Sequence, residues 1–491
     1  MKNYQDDEVW VVNPEAHLRN ESKYVLAAFP GFASTTTARL APIEGVVVTL
    51  FDGVRTCAEI KDICMAMADE ASDTPFEDVE KTFDLIMSTH RVPLRNMSSP
   101  LLKKKSELTP EESKSIRVYR PTEYIVTKEK YKPEDLKLSF PASILWLLTN
   151  ECQVDCQYCY MHKTHVSRNE LLPWERFREV LCEARDKGLI GLYLSGGDVM
   201  CYPHIFDLLD LMEELEFPPI GFPTKAYISP ENAARLAQYR VIDRVQLSID
   251  STVPEIADFL VRSPGFYERT MKSIKNLQDA GTRIIGVKAV ITPYNLPTIP
   301  KYYRDMKALG IQEIITATYC KSGFRHKEKL FNHADDYVWL DRQLEKLKKE
   351  FPGENFIYQN GAPQETMPCS EDRAKSWKER ARCTAGRDNI TICANGKVVA
   401  CEQMPEREED YLGDVNVQSL EEIWNSKEMD EYLFHPPRER FIGTPCYDCE
   451  EFEECQGLYG ECVRNACIHY GNRWNPVPEC PHAKDPVPRM W

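Results

Sequence analysis

Cys152-Gln153-Val154-Asp155-Cys156-Gln157-Tyr158-Cys159 follows closely on the apolar run Ile144–Leu148. A three-residue gap and then a two-residue gap put three thiols on one short loop. Three thiolates can hold three irons of a cubane cluster and leave the fourth open to a ligand, whereas a fourth cysteine would close it. A zinc site with His162 as its fourth ligand is the alternative, although zinc sites more often repeat a two-residue gap.

Outward from this loop the chain alternates short apolar runs with helical stretches. Ile144–Leu148, Leu189–Leu194, Ile220–Phe222, Val245–Ile249, Ile284–Ile291 and Glu313–Ala317 read as buried parallel strands. Trp174–Lys187, His204–Glu216, Gly265–Ala280 and Ile299–Leu309 read as helices between them. The repeat predicts an α/β fold, a parallel sheet curled into a partial (β/α)6 TIM-like barrel. Ligands of such sheets sit at the C-terminal strand ends. The cysteine loop lies there, as do Ser195-Gly196-Gly197-Asp198 after the second strand and Ser248-Ile249-Asp250 after the fourth.

The chain holds 18 cysteines. Ten lie between Cys369 and Cys480. Cys383 and Cys401 enclose seventeen residues, Gly396 among them; Cys446-x2-Cys449-x5-Cys455, Cys462 and Cys480 follow. No signal peptide opens the sequence, and in a reducing cytoplasm such density reads as metal binding rather than disulfides. A pair of zinc ribbons would also suit the Cys446/Cys449 spacing. Cys57, Cys64, Cys182 and Cys201 sit in apolar settings and read as packing residues. Cys320, after the sixth strand, could face the site.

The net charge of −16 argues against nucleic acid. No run of about 18 apolar residues suggests a membrane span. Near the N-terminus Val9–Val12 and Lys23–Phe29 have strand character. Pro42–Phe51, Thr56–Ala68 and Phe76–Met87 read as helices, with Asp52-Gly53 a turn. Small strands followed by three helices form a winged-helix-like layout. Residues 93 to about 140, charged and punctuated by Pro100, Pro110, Pro121 and Pro133, read as a linker. The expected division is residues 1–95, a linker over 96–140, the barrel over 141–335 and a cysteine-rich iron–sulfur domain over 336–491.

The cysteine loop, with Tyr158 before its last cysteine, resembles the radical S-adenosylmethionine (radical SAM) superfamily. The resemblance implies a [4Fe–4S] cluster on Cys152, Cys156 and Cys159. It also implies cofactor contacts from Tyr158, from Gly196, Gly197 and Asp198, from Ser248 and Asp250, and from Arg262, whose other reading is a surface salt bridge. The family more often has Glu where this chain has Asp198. The later cysteines, with Leu412-Gly413-Asp414-Val415 and Ile423-Trp424, resemble the SPASM extension of peptide-modifying radical SAM enzymes, which carries two auxiliary clusters. Residue by residue, the resemblance gives Cys383, Cys401 and Cys462 to one cluster, with Cys369 as a fourth ligand. Cys446, Cys449, Cys455 and Cys480 go to the other. Six residues separate Cys455 from Cys462 where the family usually has three, so Cys467 is a candidate substitute for Cys462 or Cys480.

Leu40–Glu44 and Phe51–Thr56 are similar to the small peptide-recognition domains of ribosomal peptide maturation, which take a leader peptide as an added strand. Together these implications describe a cytoplasmic radical SAM maturase. It would abstract hydrogen from a ribosomally made precursor peptide and install a thioether or carbon–carbon crosslink. A one-electron donor such as flavodoxin or ferredoxin would serve it, with no nucleic acid or membrane partner. The alternatives are an anaerobic sulfatase maturase making formylglycine, and a non-catalytic metal-binding or electron-transfer scaffold that presents a peptide.

Overall fold

A computed structural model describes residues 4–31, 34–71, 76–93, 99–126, 137–161, 170–320, 322, 325, 327–354, 356–359, 377, 383–404, 406–459 and 462–483. The chain divides into two compact units, residues 1–142 with 188–191, and residues 143–187 with 192–491.

The first unit begins with strands β1 (Val9–Val12), β2 (His17–Asn20), β3 (Val25–Pro30) and β4 (Thr35–Leu40). Helix α1 (Pro42–Val48), strand β5 (Asp52–Thr56), helices α2 (Cys57–Ala71) and α3 (Phe76–His90) and strand β6 (Leu102–Lys104) follow. Antiparallel β2-β3-β4 forms one sheet and β5-β1-β6 another. The three expected helices are present, but the expected turn at Asp52-Gly53 is a strand. Gly53 takes φ +76° and the chain continues extended, pairing with β1 through a register shift between Val9 and Val11. A turn-type dipeptide that supplies a bulge looks the same in sequence as one that reverses the chain.

The expected linker is corrected more strongly. Leu101 and Leu102 are fully buried, and Tyr119, Tyr124 and Val126 pack on the same core as Trp10, Val25, Phe51 and Phe83. Helix α4 (Pro110–Lys114), capped by Thr109, is tied to β6 by the Lys103–Glu112 ion pair at 2.7 Å. Charge and proline marked the stretch as solvent-exposed, but the edge of β1 needed a partner for its backbone groups, and β6 supplies it.

The second unit opens with β7 (Ser143–Leu147), α5 (Trp174–Asp186), β8 (Gly191–Ser195), α6 (Ile205–Glu214), β9 (Ile220–Thr224), α7 (Pro230–Leu236) and β10 (Ile242–Ser248). It continues with α8 (Pro254–Val261), α9 (Phe266–Asp279), β11 (Ile284–Ile291), α10 (Ile299–Ala308), β12 (Glu313–Thr318), α11 (Ala334–Glu350) and β13 (Phe356–Gln359). All six expected strands form. Each helix turns one apolar stripe inward; in α9 it is Phe266, Thr270, Ser273, Ile274 and Leu277, at helical spacing. Strands β9 to β13 make one parallel sheet in the order β13-β12-β11-β10-β9. The parallel sheet therefore runs past the expected boundary at residue 335, because α11 and β13 add one more crossover to β12.

Strands β7 and β8 belong to a second sheet with β14 (Asn389–Ile392), β15 (Lys397–Val399) and β16 (Gly413–Asp414). β14 pairs parallel with β7, Asn389 beside Ser143 and Ile392 beside Trp146. The C-terminal cysteine-rich segment is thus built onto β7, the strand that leads into the cysteine loop. Among the described residues no helix is long and apolar enough to cross a membrane.

Candidate functional site

The loop after β7 is clipped onto the end of α8. The last carbonyls of a helix have no partner within it. Here Leu260 O accepts from Gln157 N (2.9 Å) and Val261 O from Asp155 N (3.0 Å), while Phe259 O accepts from the Gln157 amide (2.9 Å). Arg325 donates to the Cys156 carbonyl (2.9 Å). Cys156 is buried, and Cys152 and Cys159 are part-buried.

Gly196 and Gly197 hold the β8 exit against this loop. Gly197 N donates to Thr149 O (2.6 Å) and Asp198 N to Glu151 O (2.8 Å). A Cβ on Gly197 would lie 2.1 Å from Glu151 O, and Gly196 sits at φ +124°. Only glycine permits this approach.

Asp198 is 5% exposed, and the chain itself occupies its carboxylate. Thr224 Oγ1 (2.7 Å) and Met200 N (3.0 Å) donate to Oδ1, and Lys225 N (2.7 Å) and Ala226 N (3.1 Å) to Oδ2. A carboxylate offers about four lone-pair sites, so Asp198 acts by positioning the β9 exit rather than by reaching a ligand. Burial holds its carboxyl above the usual range despite these donors.

Next to it stands Lys225, which the sequence reading did not single out. Its ammonium donates to Ser248 O (2.7 Å), reaches Asp250 Oδ2 (3.5 Å) and lies 5.6 Å from the Tyr158 ring centre. Burial pulls its pKa down, but Asp250 and the thiols of Cys156 and Cys152 outweigh that and hold it above the usual value. Asp250, 1% exposed, also accepts from the Tyr158 hydroxyl and from Val290 N (2.9 Å). Tyr158, Ser248 and Asp250 are therefore brought together beside the cysteine loop, with Lys225 at their centre.

Arg262 is placed elsewhere. It caps α8 in the left-handed conformation and pairs with Asp155 at 3.0 Å, both side chains 44% exposed. Arg325 meets the other Asp155 oxygen at 2.6 Å. Of the two readings of Arg262, the structure takes the salt bridge. Short-range sequence position did not reveal that the loop's own carboxylate would claim it.

A second polar group lines the same region. Glu402 accepts from the Tyr160 hydroxyl (3.0 Å) and Ser195 Oγ (3.4 Å). Burial pushes its carboxyl up, opposed by Tyr160 and Lys288. Burial pulls the Lys288 ammonium down, opposed by Glu402 and Cys320. The Cys320 thiol donates to Thr318 O at 3.4 Å. Lys288 was readable in principle as the lone charge in the apolar strand Ile284–Ile291.

The C-terminal thiols form two sets. Cys446, Cys449, Cys455 and Cys480 border one cleft with Trp377, Phe452 and His482. Cys383, Cys401 and Cys462 lie near enough to act on one another electrostatically. Cys369 and His162 lie outside the described residues. The groups acting on the Cys467 thiol are Asp410, Arg407, Tyr432 and Arg473 rather than the thiols of either set. Among the described residues no three Cys, His, Asp or Glu side chains converge tightly enough for a single metal ion. Four thiols around one cleft suit a polynuclear cluster instead. Burial pushes the Cys156 and Cys401 thiols up to about 12 and that of Cys383 to about 11. Bare, they would stay protonated at neutral pH, and iron held there would ionise them.

Comparison with known proteins agrees with this chemistry. Residues 146–314 match the Radical SAM superfamily and residues 383–450 match an iron–sulfur cluster-binding domain, SPASM. The mycofactocin maturase MftC of Mycobacterium tuberculosis is 24% identical over 326 residues, 65% of this chain and 78% of that protein. The PqqA peptide cyclase of Gluconobacter oxydans is 23% identical over 348 residues, 69% of this chain and 90% of that protein. The crystal structure of Streptococcus suis SuiB bound to precursor peptide SuiA shares the fold. Its TM-score is 0.63 at 15% identity, over 96% of this chain and 99% of that one.

Proposed function

The chain carries a radical SAM domain joined to a SPASM iron–sulfur domain, and from that premise we propose that it is a peptide maturase acting on a ribosomally made precursor. The observation that carries the reading is the thiol arrangement: an open three-cysteine loop at the mouth of the α/β sheet, with two further thiol sets in the same compact unit. The names of the mycofactocin and PqqA relatives support the peptide substrate.

Cys152, Cys156 and Cys159 would hold the first cluster. Cys446, Cys449, Cys455 and Cys480 would hold a second, and Cys383, Cys401 and Cys462 a third, with Cys369 the proposed fourth ligand. The first cluster and S-adenosylmethionine supply the hydrogen-abstracting radical when bound. The chain's part is placement and exclusion of water. The turn at Gly196-Gly197 keeps β8 close to the loop, and Asp198 fixes the β9 exit. Lys225 gathers Tyr158, Ser248 and Asp250, which form the proposed cofactor edge.

The first unit, with its two small antiparallel sheets, is the proposed reader of the precursor's leader. An external one-electron donor of the flavodoxin or ferredoxin class would feed the first cluster. A cytoplasmic site fits 18 cysteines that must stay reduced, and the acidic charge speaks against nucleic-acid partners.

The test is anaerobic reconstitution with iron and sulfide, then dithionite and S-adenosylmethionine, with 5′-deoxyadenosine as the readout. Wild-type chain should form it and the Cys152/Cys156/Cys159→Ala triple variant should not. An iron-loaded wild type that forms none would refute the radical reading.

A further inference from the structure

Gln456 borders the cleft that Cys446, Cys449, Cys455 and Cys480 share, and it is 2% exposed. It follows Cys455 in a turn of π-helix, Glu454–Tyr459, a rare geometry that recurs at functional sites. A buried amide needs partners for both its oxygen and its nitrogen. Arg473 Nη2 donates to Gln456 Oε1 at 3.1 Å. A guanidinium only donates, so the atom facing it is the oxygen and the amide nitrogen is turned away from it. Among the described residues no protein acceptor takes that nitrogen's hydrogens.

Arg473 holds this orientation from within the core. It is 2% exposed, and its Nε donates to Tyr432 O at 2.6 Å. Its guanidinium carbon lies 4.9 Å from the Trp474 ring centre and 5.5 Å from that of Phe441. Phe441 packs edge-on against Phe452 at 5.1 Å, and Phe452 borders the cleft. The cleft already contains one donor to a thiol sulfur, since His482 N reaches Cys480 Sγ at 3.4 Å.

We propose that Gln456 is a second such donor, giving an amide N–H to a sulfur of the cluster held by the four thiols. Arg473 is the positioning residue that turns the nitrogen into the cleft. This deepens the cluster assignment above and rests on it. A hydrogen bond to a cluster sulfur stabilises the reduced, more negative state, and so raises the reduction potential. The buried Arg473 charge acts in the same direction. An ordered water in the cleft is the competing partner for the amide, and it would leave the potential untouched.

The test is a potentiometric titration of the anaerobically reconstituted full chain with dithionite, the reduced clusters being followed by electron paramagnetic resonance. The cleft's cluster is the signal that a Cys446/Cys449→Ala double variant lacks. Gln456→Met should bind the wild-type amount of iron but carry about tenfold less reduced cluster at a given applied potential, a midpoint lower by about 59 mV. Gln456→Glu keeps an oxygen for Arg473 and loses only the donor, so it should load iron and show at least the same fall. Arg473→Met should lower the midpoint too, and Arg473→Lys should restore part of that loss. The other cluster signals should keep their wild-type midpoints throughout. An unchanged midpoint in iron-loaded Gln456→Glu would overturn the proposal and give the amide to water. Equal shifts in every signal, or iron loss in both Gln456 variants, would overturn it as well, leaving a structural role alone. A wild type with no signal sensitive to Cys446/Cys449→Ala would bring down the cluster assignment itself, a separate result of the same titration.

Discussion

The Tyr160 hydroxyl donates to the Glu402 carboxylate across 3.0 Å, joining the residue after Cys159 to the residue after Cys401. These two are 242 positions apart in sequence. The bond makes the SPASM segment a wall of the radical SAM site rather than an appendage to it, and β14 pairing with β7 gives the same result in backbone terms.

Gly197→Ala should damage the site through the backbone alone. Its methyl would meet Glu151 O at 2.1 Å, and a peptide carbonyl cannot yield as a side chain does. A loss of about 1–3 kcal/mol is expected from overpacking, read as a lower denaturant midpoint, together with lower iron retention. A variant as stable and as iron-rich as the wild type would contradict the close approach.

Arg262→Ala should leave S-adenosylmethionine affinity intact, since its guanidinium is engaged with Asp155. Because both partners are well exposed, the stability cost should stay within about 1 kcal/mol. A strong fall in affinity by dialysis would restore the cofactor role that sequence position implied.

Cys480→Ala and Cys467→Ala should separate cleanly. Cys480 borders the four-thiol cleft, so its loss should lower the iron and sulfide bound per chain. Cys467 sits among Asp410, Arg407 and Tyr432 and its alanine variant should bind the wild-type amount. Equal iron loss in both would show that Cys467 is a ligand.

Glu406 should make stability fall as pH rises. Burial pushes its carboxyl up to about 7, opposed by a hydrogen bond from Asn150. A carboxyl whose folded pKa is raised favours folding when protonated. That contribution is full below the unfolded value near 4.5 and is lost as pH climbs through about 7. The loss is on the order of 2–3 kcal/mol. Denaturant midpoints measured from pH 5 to 8 should decline less for Glu406→Gln than for the wild type; parallel curves would discard the assignment.

Leu102→Ala should cost about 2–5 kcal/mol, the range for a fully buried leucine, since Leu102 is 0% exposed in the core of the first unit. A neutral result in a thermal melt would return residues 96–140 to the status of a linker.

Much of the catalytic half was legible because its signals are local. The C-x3-C-x2-C loop, the apolar runs from Ile144 to Ala317 and the two cysteine groupings each declare themselves within a few residues or by one spacing rule. Gly196-Gly197 was legible as a turn, though the reason for glycine, Glu151 O lying in the way, was not. Asp198 and Arg262 stood out in the sequence, but the partners they take in the fold did not. Each was judged by its neighbourhood along the chain, whereas hydrogen bonds from Thr224, Lys225 and Ala226, and a loop carboxylate at Asp155, decided what they do.

The sequence by itself determined the strand–helix rhythm, the open three-thiol loop and the grouping of the C-terminal cysteines, because periodicity and ligand spacing are written in consecutive residues. Only the tertiary structure decided that residues 101–126 belong to the first core, that β14 extends the sheet of β7, and that Lys225 and Glu402 converge on the site. Those relationships join segments tens to hundreds of residues apart. They are chosen by which buried edge needs hydrogen bonds and which buried charge needs a partner, demands that exist only once the chain has folded.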